Sequence, residues 1–354
     1  MKETIHVRKG EEIDLNNLSG YLQKHLPDIN MSSPLLIKQF SGGYSNLTYL
    51  LTSGNFEMVL RRPPVGANIK SAHDMGREYR ILKSLRPVFP YCPEVLLFCD
   101  DPDIIGTEFY VMKRIPGIIL RKNLPEGLSL NSEEARNLCK KLLDVHVELH
   151  NIDVTSAGLD FIGKPEGYVD RQVSGWIHRY RKAKTDDAPD FETVMSWLNE
   201  KQPEDTESPV LVHNDYKFDN VVLDPRHPMT IIGVLDWEMA TYGDPLMDLG
   251  NSLAYWVEKN DPSDFQQIRV MPTHIEGAMT RKELVYRYGE KTGRDMSYFD
   301  YYLCFGLFRL AVIAQQIYKR YYQGLTKDSR FGMLIVAVQI LEQAAIQLID
   351  QTKI

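Results

Sequence analysis

Three polar side chains within one short stretch have the types and spacing for phosphoryl transfer. Residues 213–236 read HNDYKFDNVVLDPRHPMTIIGVLD and contain Asp215, Asn220 and Asp236. A carboxylate can accept or orient the proton of an attacking hydroxyl. A second carboxylate and an amide oxygen are hard ligands, suited to Mg²⁺ held against a substrate phosphate. Such groups need firm supports. Val210, Leu211 and Val212 precede the set, Val221, Val222 and Leu223 follow Asn220, and residues 231–235 lead into Asp236. These short β-branched runs predict strands, with Asp215 on a loop and Asn220 and Asp236 at strand edges.

His213-x-Asp215, four residues and then Asn220 match the catalytic-loop spacing of protein kinases, with Asp236 where that signature has its metal-binding Asp. The wording more closely resembles the aminoglycoside phosphotransferase family of small-molecule kinases, through Asp236-Trp237-Glu238 and then Gly243-Asp244-Pro245-Leu246-Met247-Asp248-Leu249. The resemblance covers about residues 35–350. It implies an α+β, bilobal protein-kinase-like fold: residues 1–115 an antiparallel sheet with one helix, residues 116–354 a larger, mainly helical lobe. It implies ATP and Mg²⁺ as cofactors, Asp215 as catalytic residue, and Asn220 and Asp236 as metal ligands. His213 is expected to prop the loop, and Asp244 and Asp248 to brace the lobe, Asp248 as a partner for loop backbone or for Arg309.

Upstream, residues 12–27 carry a helical apolar stripe, expected on the outside of the first lobe. Two strand-like runs then flank Ser41-Gly42-Gly43-Tyr44-Ser45-Asn46. Paired glycines alone suit a plain hairpin turn. Their position ahead of the catalytic motif makes them, by resemblance, the loop over the nucleotide phosphates. The strand at residues 56–62 holds Arg61 where the kinase pattern has a phosphate-binding Lys, and Glu78 on the helix at 73–85 is its expected ion-pair partner. Strands at 95–98 and 109–112 complete the lobe. Met112-Lys113-Arg114-Ile115 reads as the hinge, and Met112 and Arg114 mark the backbone expected to meet adenine.

A helix is expected over 132–150. His146 and His150, four apart on it, lack the H-E-x-x-H grammar and read as packing histidines rather than metal ligands. Residues 151–208 are polar and irregular apart from a helix beginning near Val173 with Trp176 on its buried side. Helices are expected at 249–258, 281–292, 298–323 and 331–351. Arg309 lies among apolar neighbours in the third and is expected to pair with a buried carboxylate.

A net charge of -7 gives no basis for a nucleic-acid partner. Cys92, Cys99, Cys139 and Cys304 form neither a C-x-x-C pair nor a Cys/His cluster, and the first residues lack a signal-peptide apolar core, so a cytoplasmic protein is expected. Residues 331–349 are apolar but interrupted by Gln339, Glu342 and Gln343, which suits a packed helix and no membrane association. A small-molecule hydroxyl acceptor is the expected partner; oligomeric state leaves no trace in the sequence. Over residues 296–330 Arg309, Lys319, Arg320, Lys327 and Arg330 outnumber Asp300 and Asp328, which disfavours a polycationic acceptor such as an aminoglycoside. The runs Leu60-Arg61-Arg62-Pro63-Pro64 and 301–309 are similar to the kinase-like domains fused to some acyl-CoA dehydrogenases, implying a hydroxyacyl or hydroxyacyl-CoA acceptor. Arg61 in place of Lys also admits a non-catalytic nucleotide-binding scaffold of the same fold. The absence of an A-P-E segment argues against a protein kinase, and the absence of G-x-S-x-G against an α/β hydrolase.

Overall fold

The computed structural model describes residues 3–30, 33–41, 46–64, 74–326 and 328–354. They fall into two compact units. The first comprises Met1–Gly117 with Ala157–Ile162 and Ile232–Glu238, and the second the remainder.

In the first unit β1 (Thr4–Ile5), β2 (Leu36–Phe40), β3 (Leu47–Ser53), β4 (Phe56–Arg62), β5 (Val95–Cys99) and β6 (Phe109–Lys113) form one sheet in the order β1-β2-β3-β4-β6-β5. Every described pairing is antiparallel. Tyr49, Leu51, Met58, Leu60, Phe109 and Val111 alternate onto one buried face, as period-2 patterning requires. On that face lies α1 (Leu15–His25), started by Asp14, whose carboxylate accepts from the N–H groups of Asn16 and Asn17. Leu18 and Leu22 are fully buried in this core while Asn16, Asn17, Gln23, Lys24 and His25 stay exposed, so α1 packs on the sheet by one stripe and meets solvent with its other face. Its apolar stripe removes two large side chains from water, each stabilising by about 1.5–3 kcal/mol. Helix α2 (Met75–Leu85) opens on an Asp74 cap and buries Glu78 among Met75, Ile81, Leu82 and Leu85. A short α3 (Pro102–Ile105), not anticipated, sits between β5 and β6.

The lobe boundary read from chain order omitted residues 232–238. Their place in the first unit has a local cause. The Val234 N–H donates to the Tyr91 carbonyl (2.9 Å), and Trp237 is buried with its ring edge-on to Phe89 at 5.8 Å.

The second unit contains β7 (Ile118–Ile119), α4 (Ser132–His150), α5 (Tyr168–Ala183), α6 (Glu192–Glu200), β8 (Val210–Val212) and β9 (Val221–Leu223). The chain continues through β10 (Ile231–Val234), which runs across the boundary, then β11 (Thr241–Gly243), α7 (Pro245–Ala254), α8 (Ser263–Gln267), α9 (Arg281–Thr292), α10 (Phe299–Tyr322) and α11 (Leu334–Gln351). Strand β7 pairs with β9, and β11 with β8. Helices α5 and α6 occupy much of the stretch read as irregular. At the centre α7 and α10 touch backbone to backbone: a Cβ on Gly250 would lie 2.2 Å from the Tyr302 carbonyl oxygen, and one on Gly306 2.3 Å from that of Gly250. Only glycine permits that approach. The last helix is long and apolar enough to cross a membrane by length and composition. It packs on α10, with Val338, Leu341 and Ala345 buried.

Candidate functional site

In the second unit β8 delivers the chain to a loop whose backbone is held by one buried carboxylate. Asp248 accepts from the His213 N–H (2.8 Å) and the Asn214 N–H (2.6 Å), and its Oδ2 also meets His146 Nε2 at 3.0 Å and His150 Nε2 at 3.1 Å. Burial alone would push this carboxyl up, but hydrogen bonds from His146 and His150 overcome it and hold the group well below the usual carboxylate range. Burial, then the neighbouring His146, brings His150 down to about 4, so its ring is neutral. His146, His150 and Asp248 superficially form a metal triad. The carboxylate is instead filled by N–H donors, and both rings spend Nε2 on it, a histidine brace for the loop. Asn214, at φ 65°, takes a left-handed turn secured by its amide bond to the Met239 carbonyl (3.1 Å).

The loop presents Asp215. Its own N–H donates to His213 Nδ1 (3.2 Å), which gives His213 the propping position expected for it. Asn220, on the turn Phe218–Asn220, donates from Nδ2 to Asp215 Oδ2 (2.7 Å) and to the Asp215 carbonyl (2.9 Å). Lys217 forms an ion pair with the same Oδ2 and lies over the Tyr255 ring at 4.9 Å. The sequence reading passed over Lys217. Its signal is the D-x-K spacing: at φ −163° and ψ 164° the backbone of Lys217 is extended, and i and i+2 side chains of an extended segment share a side.

The first unit holds a second cluster, centred on Arg61. Its NH1 meets Glu78 Oε1 at 2.8 Å, while NH2 meets Asp236 Oδ1 at 3.0 Å and Glu238 Oε2 at 3.1 Å. Asn46 Nδ2 donates to that Glu238 oxygen (2.7 Å). Burial opposes both charges of the Arg61–Glu78 pair; the carboxylates prevail for Arg61, which is raised well above its ordinary value, whereas Glu78 is raised despite Arg61. Asp236 sits at φ 69°, a conformation costing of order 1–3 kcal/mol in a non-glycine residue and typical of functional positions.

The sequence profile of the Phosphotransferase enzyme family (APH) matches residues 36–276. The chain belongs to this phosphotransferase family. Acyl-CoA dehydrogenase family member 11 of Rattus norvegicus is 33% identical over 359 residues, covering 99% of this chain and 45% of its own length. The chain thus spans about half the length of the curated relatives it matches most fully. Among solved structures, a Ralstonia eutropha jmp134 protein provisionally assigned as an aminoglycoside phosphotransferase has 27% identity and a TM-score of 0.80, covering 97% of this chain and 100% of its own. Choline kinase from Cryptosporidium parvum Iowa II shares the fold at 13% identity, with a TM-score of 0.63 and coverage of 96% of each chain. The protein-kinase-like α+β fold that the resemblance implied is therefore the fold of this chain.

Of the residues the family pattern points to, the structure brings Asn46, Arg61, Glu78 and Asp236 together in the first unit, and Asp215 with Asn220 in the second. Gly42, Gly43, Tyr44 and Ser45 lie outside the described residues. Ser41 is tied to the sheet edge, its N–H donating to the Glu3 carbonyl (3.1 Å). Met112 is buried within β6, paired with strands on both sides, the Arg114 side chain bridges Glu57 and Glu3 at 2.7 Å each, and the Lys113 and Arg114 N–H groups donate to the carbonyls of Glu94 (2.8 Å) and Glu57 (3.4 Å). An amide oxygen in the second unit and a carboxylate in the first are each hard donors of the kind a divalent cation takes. Asn220 spends its amide protons on Asp215, which leaves Oδ1 as its acceptor, and the Asp236 side chain is 37% exposed. Arg309 departs from expectation: Asp248 serves the loop backbone and the histidines, and among the described residues no carboxylate pairs with Arg309, which lies over Trp176 instead. A cavity of about 680 Å³ elsewhere in the second unit, lined by Leu253, Phe265, Arg281, Leu307 and Gln343, includes none of these residues.

Proposed function

We propose that this phosphotransferase moves the γ-phosphoryl group of ATP, with Mg²⁺, to a hydroxyl of a small hydroxyacyl or hydroxyacyl-CoA compound. The observation that carries the reading is the Asp215 carboxylate, presented on a loop pinned to Asp248 and oriented by Asn220. Asp215 takes the hydroxyl proton; Lys217 beside it balances the carboxylate's charge before the proton arrives. Asn220 on the loop and Asp236 after β10 are the metal-ligating side chains, and Arg61 is the phosphate-side cation. Bound Mg-ATP supplies the transferable phosphoryl group and the charge neutralisation that such transfer requires. The relatives' names as acyl-CoA dehydrogenase family members support an acyl acceptor. The buried, unpaired cysteines support a reducing, cytoplasmic setting.

A coupled assay of Mg-ATP turnover against hydroxy acids, their CoA thioesters, neutral alcohols and aminoglycosides tests this. Turnover is expected with the hydroxyacyl probes and a loss of at least about 10³-fold in Asp215→Asn, with Mg-ATP binding kept. Equal residual turnover in Asp215→Asn would sink the assignment. Mg-ATP binding without turnover on any probe would favour the scaffold reading.

A further inference from the structure

Of the three buried arginines among the described residues, one has neither a counter-charge nor a hydrogen bond. Arg309, on α10, is 3% exposed, and its guanidinium sits 5.0 Å from the centroid of the Trp176 ring. Among the described residues it makes no hydrogen bond and has no carboxylate within ion-pair distance. The other buried arginines differ. Arg61 has three carboxylates, and Arg62 donates to the Tyr49 hydroxyl (3.0 Å) and the Glu11 carbonyl (2.8 Å). A guanidinium brings five N–H donors and a charge it cannot shed, and no Arg309 nitrogen is among the fully buried atoms without a partner, so these donors stay within reach of a group arriving from solvent. A fold keeps such a group when something else supplies the acceptor.

The surroundings say what and where. Arg179, exposed on α5, stacks over the same indole at 4.8 Å and also lacks a carboxylate partner among the described residues. Each planar fork has the shape and charge that a carboxylate or phosphate matches. Two routes link this surface to the catalytic loop. Trp176 lies about two turns along α5 from Tyr168, whose hydroxyl bonds Asn214 (3.3 Å), the residue before Asp215. On α10, Gly306, one turn before Arg309, meets the backbone of Gly250 and Asn251, and Asn251 donates from Nδ2 to Asn214 (3.1 Å). Other basic groups of this region are spent locally: Lys319 on the Lys182 carbonyl (2.6 Å) and Arg330 on Asp328 (2.6 Å).

We infer that Arg309, with Arg179 at its rim, binds an anionic oxygen group of the phosphoryl acceptor, which makes the acceptor a hydroxylated acid rather than a neutral alcohol or a cation. The inference rests on the phosphotransferase reading for the word acceptor, but not for the binding itself. Arg309 is a specificity residue here and moves no proton.

Calorimetric titration of the full chain in Mg-ADP tests it, with straight-chain hydroxyhexanoates bearing the hydroxyl at successive carbons, the matched carboxamides, and the CoA and pantetheine thioesters of the same acids. At least one anionic probe is expected to bind about tenfold or more tighter than its uncharged match. In Arg309→Gln that preference collapses toward one, Arg309→Lys restores part of it, and the melting temperature of Arg309→Gln does not fall, since no ion pair is lost. Preference for acid over carboxamide identifies a carboxylate; preference for CoA over pantetheine thioester identifies a phosphate. No preference in the wild type, an unchanged preference in Arg309→Gln, or joint loss of melting temperature and of all binding would overturn the inference. Arg309-dependent anion binding without phosphoryl transfer would remove the kinase reading instead. Transfer confined to neutral alcohols would remove only the inference.

Discussion

Arg61 and Arg309 are both buried, at 7% and 3% exposure, and their surroundings are opposite. Arg61 lies within 3.1 Å of three carboxylates from α2 and from the segment after β10. Arg309 has an indole and no carboxylate among the described residues. The same residue type therefore does two jobs. Closed among anions, a guanidinium organises the protein around itself. Left open, it contributes little to the fold and keeps its donors for a ligand. The sign of a stability change separates the two cases better than its size.

Removing Arg61 should give the largest effect. Arg61→Met leaves Glu78 buried beside Asp236 and Glu238 with no cation, and loss of one partner from a buried ion pair typically costs about 3–5 kcal/mol. Urea unfolding should show that loss, and Mg-ATP binding should fall with it. A midpoint equal to that of the wild type would mean that the cluster is no more structural than Arg309.

Asp248 is the anionic counterpart of Arg61, a buried charge satisfied inside the protein, and acid should open it. Folded His150 resists protonation until pH falls to about 4, whereas the unfolded ring takes a proton near 6.5. The unfolded state thus binds more protons in that window. The stability from this group is present above 6.5 and is lost as pH falls toward 4, and the depressed Asp248 extends the loss at lower pH. Between pH 7 and pH 5 the His150 contribution should fall by about 2 kcal/mol. His150→Gln should flatten that slope in urea titrations; an identical slope would move the acid sensitivity elsewhere.

The legible parts of the site were those whose chemistry dictates residue type at fixed spacing. Asp215 and Asn220 could be picked out because a base and a hard oxygen ligand must follow a strand within one loop, and Arg61 with Glu78 only through resemblance to the kinase pattern, since a Glu on so charged a helix otherwise reads as solvated. What stayed hidden depends on distant geometry. His146 and His150 looked like packing residues because their partner, Asp248, lies about a hundred positions away in sequence. Lys217 was passed over, since its contact needs the extended backbone at that residue. Helix α6 is nine residues inside a polar stretch, too short to print a clear period. Arg309 was misjudged for a different reason: pattern can suggest that a buried arginine has a partner, but only the packed helices show whether one arrives.

The smallest expected effect probes how far the closed cluster can be thinned before it behaves like the open one. Glu238→Gln keeps the shape of the side chain and removes one of three negative charges near Arg61. Its amide oxygen can still accept from Arg61 NH2 and from Asn46 Nδ2, the two donors that now meet Glu238 Oε2. Glu78 and Asp236 continue to neutralise the guanidinium, so only a charge-assisted bond becomes a neutral one, a loss of about 1 kcal/mol. Urea unfolding of Glu238→Gln, Glu78→Gln and the double variant measures the coupling. If the first two are small singly and the pair falls far short of additivity, the carboxylates act as one counter-charge and Arg61 is over-supplied. If Glu238→Gln alone approaches the loss seen in Arg61→Met, each anion is indispensable, and the contrast with Arg309 is sharper than the distances suggest.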